Sequence, residues 1–317
     1  MTATQTASDQ PSTTAPRRPG DRLFAGTAKS AGILILVILA GVTAFLVVEA
    51  FPALTASADE IPGDEGLLAF IAPLLFGTLL SAAIALVIAT PLAVAIALYI
   101  THYAPRRLAQ GLGYVVDLLA AIPSIVYGFW GIVWLAPKLV PFFQWLEANL
   151  GFIPFFAGPA SATGRTMFTV GLVLAIMILP IISAISREVF TQVPTLHQEA
   201  ALALGATRWE MIKMAVIPYG KSGVIGGAML GLGRALGETM AVAIILSGSA
   251  AGITWALISS ANPQTIAANI ALQFPESTGL AVNTLIASGL ALFVITLLVN
   301  MLARWVVNRR ADFSGAN

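Results

Sequence analysis

Residues 199–218 read EAALALGATRWEMIKMAVIP, from Glu199 to Pro218. The stretch lies between two apolar segments, about 167–185 and 224–248, each near the length a helix needs to cross a bilayer. It carries strong local punctuation. Thr195 with Gln198 and Thr207 with Glu210 both have the spacing of a capping box. Gly205 falls between them, where a left-handed residue ends a helix. Pro218 cannot continue a helix without a break. The spacing predicts two short helices joined at a sharp bend. Ala200, Ala201 and Ala203 keep the first slim enough to enter a groove. Trp209, Met211, Ile212 and Met214 give the second an apolar side. A helix lying in the membrane interface with Trp209 as anchor is the plainer alternative, but such a helix has no use for a central glycine. The stretch reads as a docking element for a separate protein that supplies energy.

The surrounding chain explains why such an element stands out. Of 317 residues, 58% are hydrophobic and only 10% charged, against about 25% charged in a soluble domain. The bilayer is the expected solvent. Six segments have spanning length, about 32–50, 70–100, 113–136, 167–185, 224–248 and 284–306, which predicts an all-α integral membrane protein with six transmembrane helices. Pro73 and Pro91 predict a tilt or kink in the second, and the first is too long and too far in for a signal-peptide core. Residues 1–23 are rich in Thr, Ser, Pro and Gln and read as a disordered tail. With the N-terminus inside, thirteen of the sixteen basic residues fall on inner segments, while only Lys138 and Arg165 fall outside. That asymmetry places both termini and residues 186–223 in the cytoplasm. The expected organisation is an inner tail at 1–31, a first span and acidic outer loop at 32–69, a core at 70–310 and a short inner tail at 311–317.

Several chemistries are excluded. The chain has no cysteine, hence no disulfide framework and no thiol nucleophile. Its two histidines, His102 and His197, fall in polar loops, so neither a metal site nor a cofactor is expected. No His-Glu-x-x-His and no Gly-x-Ser-x-Gly occurs, and nothing suggests a nucleic-acid partner. Gly220-Lys221-Ser222 imitates the end of a phosphate-binding P-loop, but position 215 is Ala where the motif needs Gly. Gly220 reads as part of a turn and Lys221 as a loop charge. Any nucleotide hydrolysis must come from another subunit.

The fifth span carries two charges. Arg234 and Glu238 are four residues apart and would share one helix face. Each costs on the order of 2.5–3.5 kcal/mol at the bilayer centre. One reading is an ion pair that neutralises itself. The other is an anion path in which Arg234 attracts substrate while Glu238 holds Arg234 and keeps the empty path from binding too tightly. Asp117 is either a second partner for Arg234 or an interfacial residue. Gly227 with Gly231, and Gly233 with Gly237, form small-xxx-small pairs suited to close helix packing.

Glu199, Ala200, Ala201, Gly205, Ile217 and Pro218 match the pattern of the EAA loop of ABC importer permeases, with Ala215 a small departure from the larger aliphatic residue usual there. More specifically, LGRALGETMAV at 232–242, AAIPSIVYGFWGI at 120–132 and the segment at 77–108 resemble the PstC-type permeases of bacterial phosphate importers. The resemblance covers roughly residues 70–310. It implies a type I importer permease fold with a cytoplasmic coupling-helix loop. It also implies a heterodimer with a PstA-type permease, two ATP-binding subunits, and an extracytoplasmic phosphate-binding protein meeting the outer loops at 138–166 and 250–283. Permeases for sulfate, molybdate or phosphonate, or the companion PstA-type subunit itself, are the near alternatives, and an ion-gradient-driven transporter the distant one.

Overall fold

The computed structural model describes residues 19–64, 66–246 and 252–311. Most of the tail expected at 1–31, the end of the predicted fifth span and residues 312–317 lie outside the described residues. Among these residues the fold is helical, save for a single antiparallel bridge between Ala160 and Ser259. The first helix, α1 (Pro19–Thr55), begins inside the stretch expected to be a tail. Up to Val48 it forms a unit by itself, apolar enough to span a bilayer. From Glu49 the chain forms a second unit.

In that second unit α2 (Leu67–Leu98) runs on into a π-helical turn at Tyr99–Tyr103. Pro73 and Pro91 both sit inside one unbroken helix. Next come α3 (Arg106–Ala120), α4 (Ser124–Trp130) and, after a π-helical turn, α5 (Ala136–Leu150). The predicted third span at 113–136 is therefore shifted. Pro123 ends the amphipathic α3 and opens a continuous apolar stretch, Ser124–Leu150, of 27 residues. Lys138 accordingly lies on a helix, stacked 4.0 Å above the Trp134 ring, rather than on an outer loop.

Helix α6 (Met167–Thr191) is the central post of the unit. Two seams of small residues bring neighbours against it, which is how helices gain contact where lipid offers no hydrophobic drive. One seam is on α2, where Ala82, Ala85, Ala89, Ala93 and Ala97 recur at helical spacing and are all buried. The other is on α9 (Ile217–Leu236), where Gly227 faces Ile185 and Gly231 faces Ile182 and Ile178. Gly220 and Gly223 continue that seam against Phe190 and Val189. Gly220 is thus inside a helix rather than in a turn.

The remaining elements are α7 (Thr195–Ala203), α8 (Arg208–Met211), α10 (Met240–Leu246), α11 (Ile266–Gln273) and α12 (Leu280–Ala311). Among the described residues five helical stretches are long and apolar enough to cross a membrane, and the pair Arg208–Leu236 and Met240–Leu246, bent by 54°, makes a sixth if taken as one broken span. Part of the expected outer loop at 250–283 is folded inward. Ser161 donates to Ile258, Phe168 to Leu257, and the Asn262 side chain accepts from Met167. Helix α11 then starts with its Ile266 amide donating to Thr78 of α2 at 3.0 Å.

This inward fold generates a stability prediction. A Cβ at Gly77 would run into the backbone carbonyl of Gln264. Gly77→Ala should destabilise the protein by ~1–3 kcal/mol through overpacking, read as a lower melting temperature in detergent. Gly111→Ala, where a Cβ meets nothing, should leave it unchanged or slightly raised.

Candidate functional site

The inner knob is built as its local chemistry demands. After α7, Gly205 takes φ +86°. Ala206 donates to Ala201 at 3.2 Å and Gly205 to Leu202 at 3.0 Å. This is the double bond of a Schellman ending, which closes the carbonyls a helix C-terminus leaves open. The next helix opens at once: Thr207 accepts from the Glu210 amide, while the Glu210 carboxylate accepts from the Thr207 amide at 2.8 Å. The capping box at Thr207 and Glu210 is therefore present. The one expected at Thr195 and Gln198 is absent. Pro194 occupies the cap position, and Gln198 reaches back instead to donate to the Val193 carbonyl at 3.2 Å.

Pro218 does not end the second helix either. A π-helical turn at Ile212–Val216 widens the coil before it, and Arg208–Leu236 continues as one rod. Proline lacks an amide and its ring crowds the carbonyl four residues back. A local π turn is one way a helix absorbs such an interruption. The expected second short helix is thus the inner end of span five.

The knob's surface divides in two. Met211, Ile212 and Val216 are buried against Ala97, Leu98, Phe190 and Val193, which fastens the knob to the C-terminal ends of α2 and α6. Arg208 adds a second tie, donating to the His102 carbonyl at 3.2 Å with its guanidinium 5.8 Å from the Tyr103 ring. His102 belongs to the turn that ends α2 and His197 to α7, so neither is in a loop. Glu199, Ala200 and Ala203 stay exposed, Ala201 is half-buried, and Leu196 (71%), Leu204 (90%) and Trp209 (53%) stand out uncovered. The apolar side expected of Trp209, Met211, Ile212 and Met214 is thus split, two facing inward and two outward.

The charges of span five are arranged differently from expectation. The helix ends at Leu236, so Arg234 and Glu238 do not share a helical face. Glu238 is buried, and its carboxylate accepts from the Ala241 amide at 3.0 Å, capping α10. Asp117 binds Arg187 at 3.2 Å in an exposed pair and not Arg234. Among the described residues that is the only ion pair, so the half-buried Arg234 has no carboxylate within reach. Its guanidinium acts electrostatically on the Tyr127 phenol, which donates to the Leu119 carbonyl at 2.8 Å. The two glycine pairs also differ. Gly227 and Gly231 pack on α6, but a Cβ at Gly233 or Gly237 would meet no other helix of this chain. Beyond the break, Arg165 donates Nε to the Ile245 carbonyl at 3.0 Å and Nη2 to that of Ile244 at 3.1 Å. Neither Arg165 nor Arg208 stood out in the sequence, because their acceptors are backbone carbonyls about 80 and 106 residues away.

The profile of the family described as "Binding-protein-dependent transport system inner membrane component" matches residues 89–312. The protein named phosphate transport system permease protein PstC 2 of Mycobacterium tuberculosis is 47% identical over 308 residues, covering 94% of each chain. PstC of Mycobacterium leprae is 44% identical over 303 residues, covering 92% of this chain and 94% of its own. PstC of Mesorhizobium japonicum is 41% identical over 308 residues, covering 93% and 92%. Among solved structures, an inward-facing MetNI methionine ABC transporter aligns with TM-score 0.51 at 18% identity, covering 77% of this chain and 95% of its own. A bacterial ABC transporter involved in the import of alginate aligns with TM-score 0.56 at 16% identity, covering 91% and 99%. At such identities the likeness is one of fold, that of ABC importer permeases.

The capping geometry generates a local prediction. Thr207→Ala should cost ~1 kcal/mol at the start of the second helix. The Glu210 amide should then exchange hydrogen about fivefold faster, measured by mass spectrometry, while Thr207→Ser leaves the rate unchanged.

Proposed function

The chain belongs to the family of binding-protein-dependent transport system inner membrane components, and we propose that within it this protein is the PstC-type permease subunit of an ATP-driven importer of inorganic phosphate. The observation that carries the anion reading is Arg234. A guanidinium in the middle of a broken span is costly in a bilayer, and among the described residues no carboxylate pairs with it. An oxyanion passing along the open side of α9 meets a fixed positive charge. Glu238, engaged as a cap, does not hold Arg234; its part is to keep the break in span five in shape. Asp117 is engaged by Arg187 rather than by Arg234.

The open side of α9 carries Gly226 and Gly233, where nothing among the described residues opposes a side chain, and Gly237 follows just past its end. That supports a second permease, the PstA-type companion, closing the other half of the path there. The knob supports docking in trans. Exposed Leu196, Leu204 and Trp209 would enter a cleft of one of two ATP-binding subunits, while Met211, Ile212 and Arg208 carry the displacement into α2 and α6. The chain itself performs no covalent chemistry. An extracytoplasmic phosphate-binding protein would dock on the opposite side, and the basic asymmetry supports cytoplasmic termini in a bacterial inner membrane.

Two outcomes test this. Arg234→Ala should abolish phosphate uptake in proteoliposomes holding the full complex while leaving its assembly intact; normal uptake would remove Arg234 from the path. Gly205→Val forces a β-branched residue into a left-handed conformation at ~1–2 kcal/mol, and should reduce both binding of the ATP-binding subunits and phosphate-stimulated hydrolysis. Unaltered coupling in that variant would overturn the docking role.

A further inference from the structure

The described part of α10, in the outer half of span five, runs from Met240 to Leu246. At membrane depth each unsatisfied backbone group costs several kcal/mol, and two side chains that are not part of α10 bind its backbone. At the start, Glu238 accepts from the Ala241 amide. Farther along, the Arg165 guanidinium donates to the carbonyls of Ile244 and Ile245.

Arg165 is itself held on a rigid corner. Gly164 before it sits at φ +72°, with the Ala136 carbonyl filling the space a side chain would need. Thr166 after it caps α6, accepting from the Thr169 amide at 3.2 Å. The central post thus grips α10 through one guanidinium. On its flank α10 is in close contact, since Cβ atoms at Gly128 and Gly131 would press on Ala241 and Ile245. At its base lies the 54° break, with Gly237 exposed. Met240, the first residue past that break, is 44% exposed.

We propose that Arg165 is a positioning residue: a latch that holds α10 against α6 and so sets access from the outside to the path beside Arg234. The planar guanidinium reaches two successive carbonyls at once, whereas a lysine ammonium can satisfy one of them as a point charge. With the latch open, α10 keeps its apolar packing against α4, α6 and α11 but loses its polar tie to the corner before α6, and it can shift about residues 237–239.

The inference rests on the transport reading, but its decisive measurement does not involve phosphate. The chain has no cysteine, so Met240→Cys provides a unique thiol within it. The full complex in right-side-out vesicles is treated with a membrane-impermeant maleimide, without substrate. Relative to the Met240→Cys parent, Arg165→Gln should raise the labelling rate about tenfold, the factor that corresponds to losing a hydrogen bond to a charged group. Arg165→Lys should fall between the two. In parallel, Arg165→Gln should lower phosphate uptake while ATP hydrolysis by the complex continues, which a merely misassembled subunit would not give. Unchanged labelling in the assembled Arg165→Gln complex overturns the latch. If that variant does not assemble, Arg165→Lys decides, and parent-like labelling there overturns it. Failure of the parent to take up phosphate would sink the substrate reading and leave the labelling result standing.

Discussion

A helix that stops inside a bilayer must satisfy its own ends, because no water is there to do it. Span five stops after Leu236 and restarts at Met240, and much of what is distinctive in this protein follows from how that interruption is closed. Glu238 is buried because it serves as a cap. Arg165 leaves its loop to bind two carbonyls of the segment beyond the break. Arg234, just before the interruption, is left as a cation with no carboxylate in reach among the described residues. The break therefore separates two charges that a continuous helix would have paired.

Around it, the packing is organised by small residues more than by large ones. The alanines of α2 and the glycines of α9 bring their backbones close to α6 from two sides. Large side chains of α6, such as Ile178, Ile182 and Phe190, fill the space between and are buried. The inner ends of α2, α6 and the 208–236 rod then share a second small cluster. A displacement of the knob at residues 195–211 thus has a packed route into two spans, and Arg208 adds a directional tie through the His102 carbonyl.

Much of the knob was legible locally. Gly205 needs a left-handed conformation and Thr207 needs Glu210 three residues on, and both requirements are met within a few residues of chain. The misreadings fell where a local rule competed with a neighbouring option. Thr195 was outcompeted by Pro194 for the cap position. Pro218 was absorbed by a π-helical turn instead of ending its helix. The third span moved because Pro123 divides what hydropathy alone joins.

By itself, the sequence determined the solvent, the approximate spans, the bend of the knob and the presence of charge within span five. Those depend on composition, on periodicity and on contacts a few residues apart. Only the tertiary structure decided which charges meet. Glu238 turned from Arg234 to the Ala241 amide, Asp117 to Arg187, and Arg165 to carbonyls in another span. The physical reason is that a side chain binds whatever group the fold brings within about 3 Å of it, and a backbone carbonyl about 80 residues away leaves no mark on the sequence around its donor.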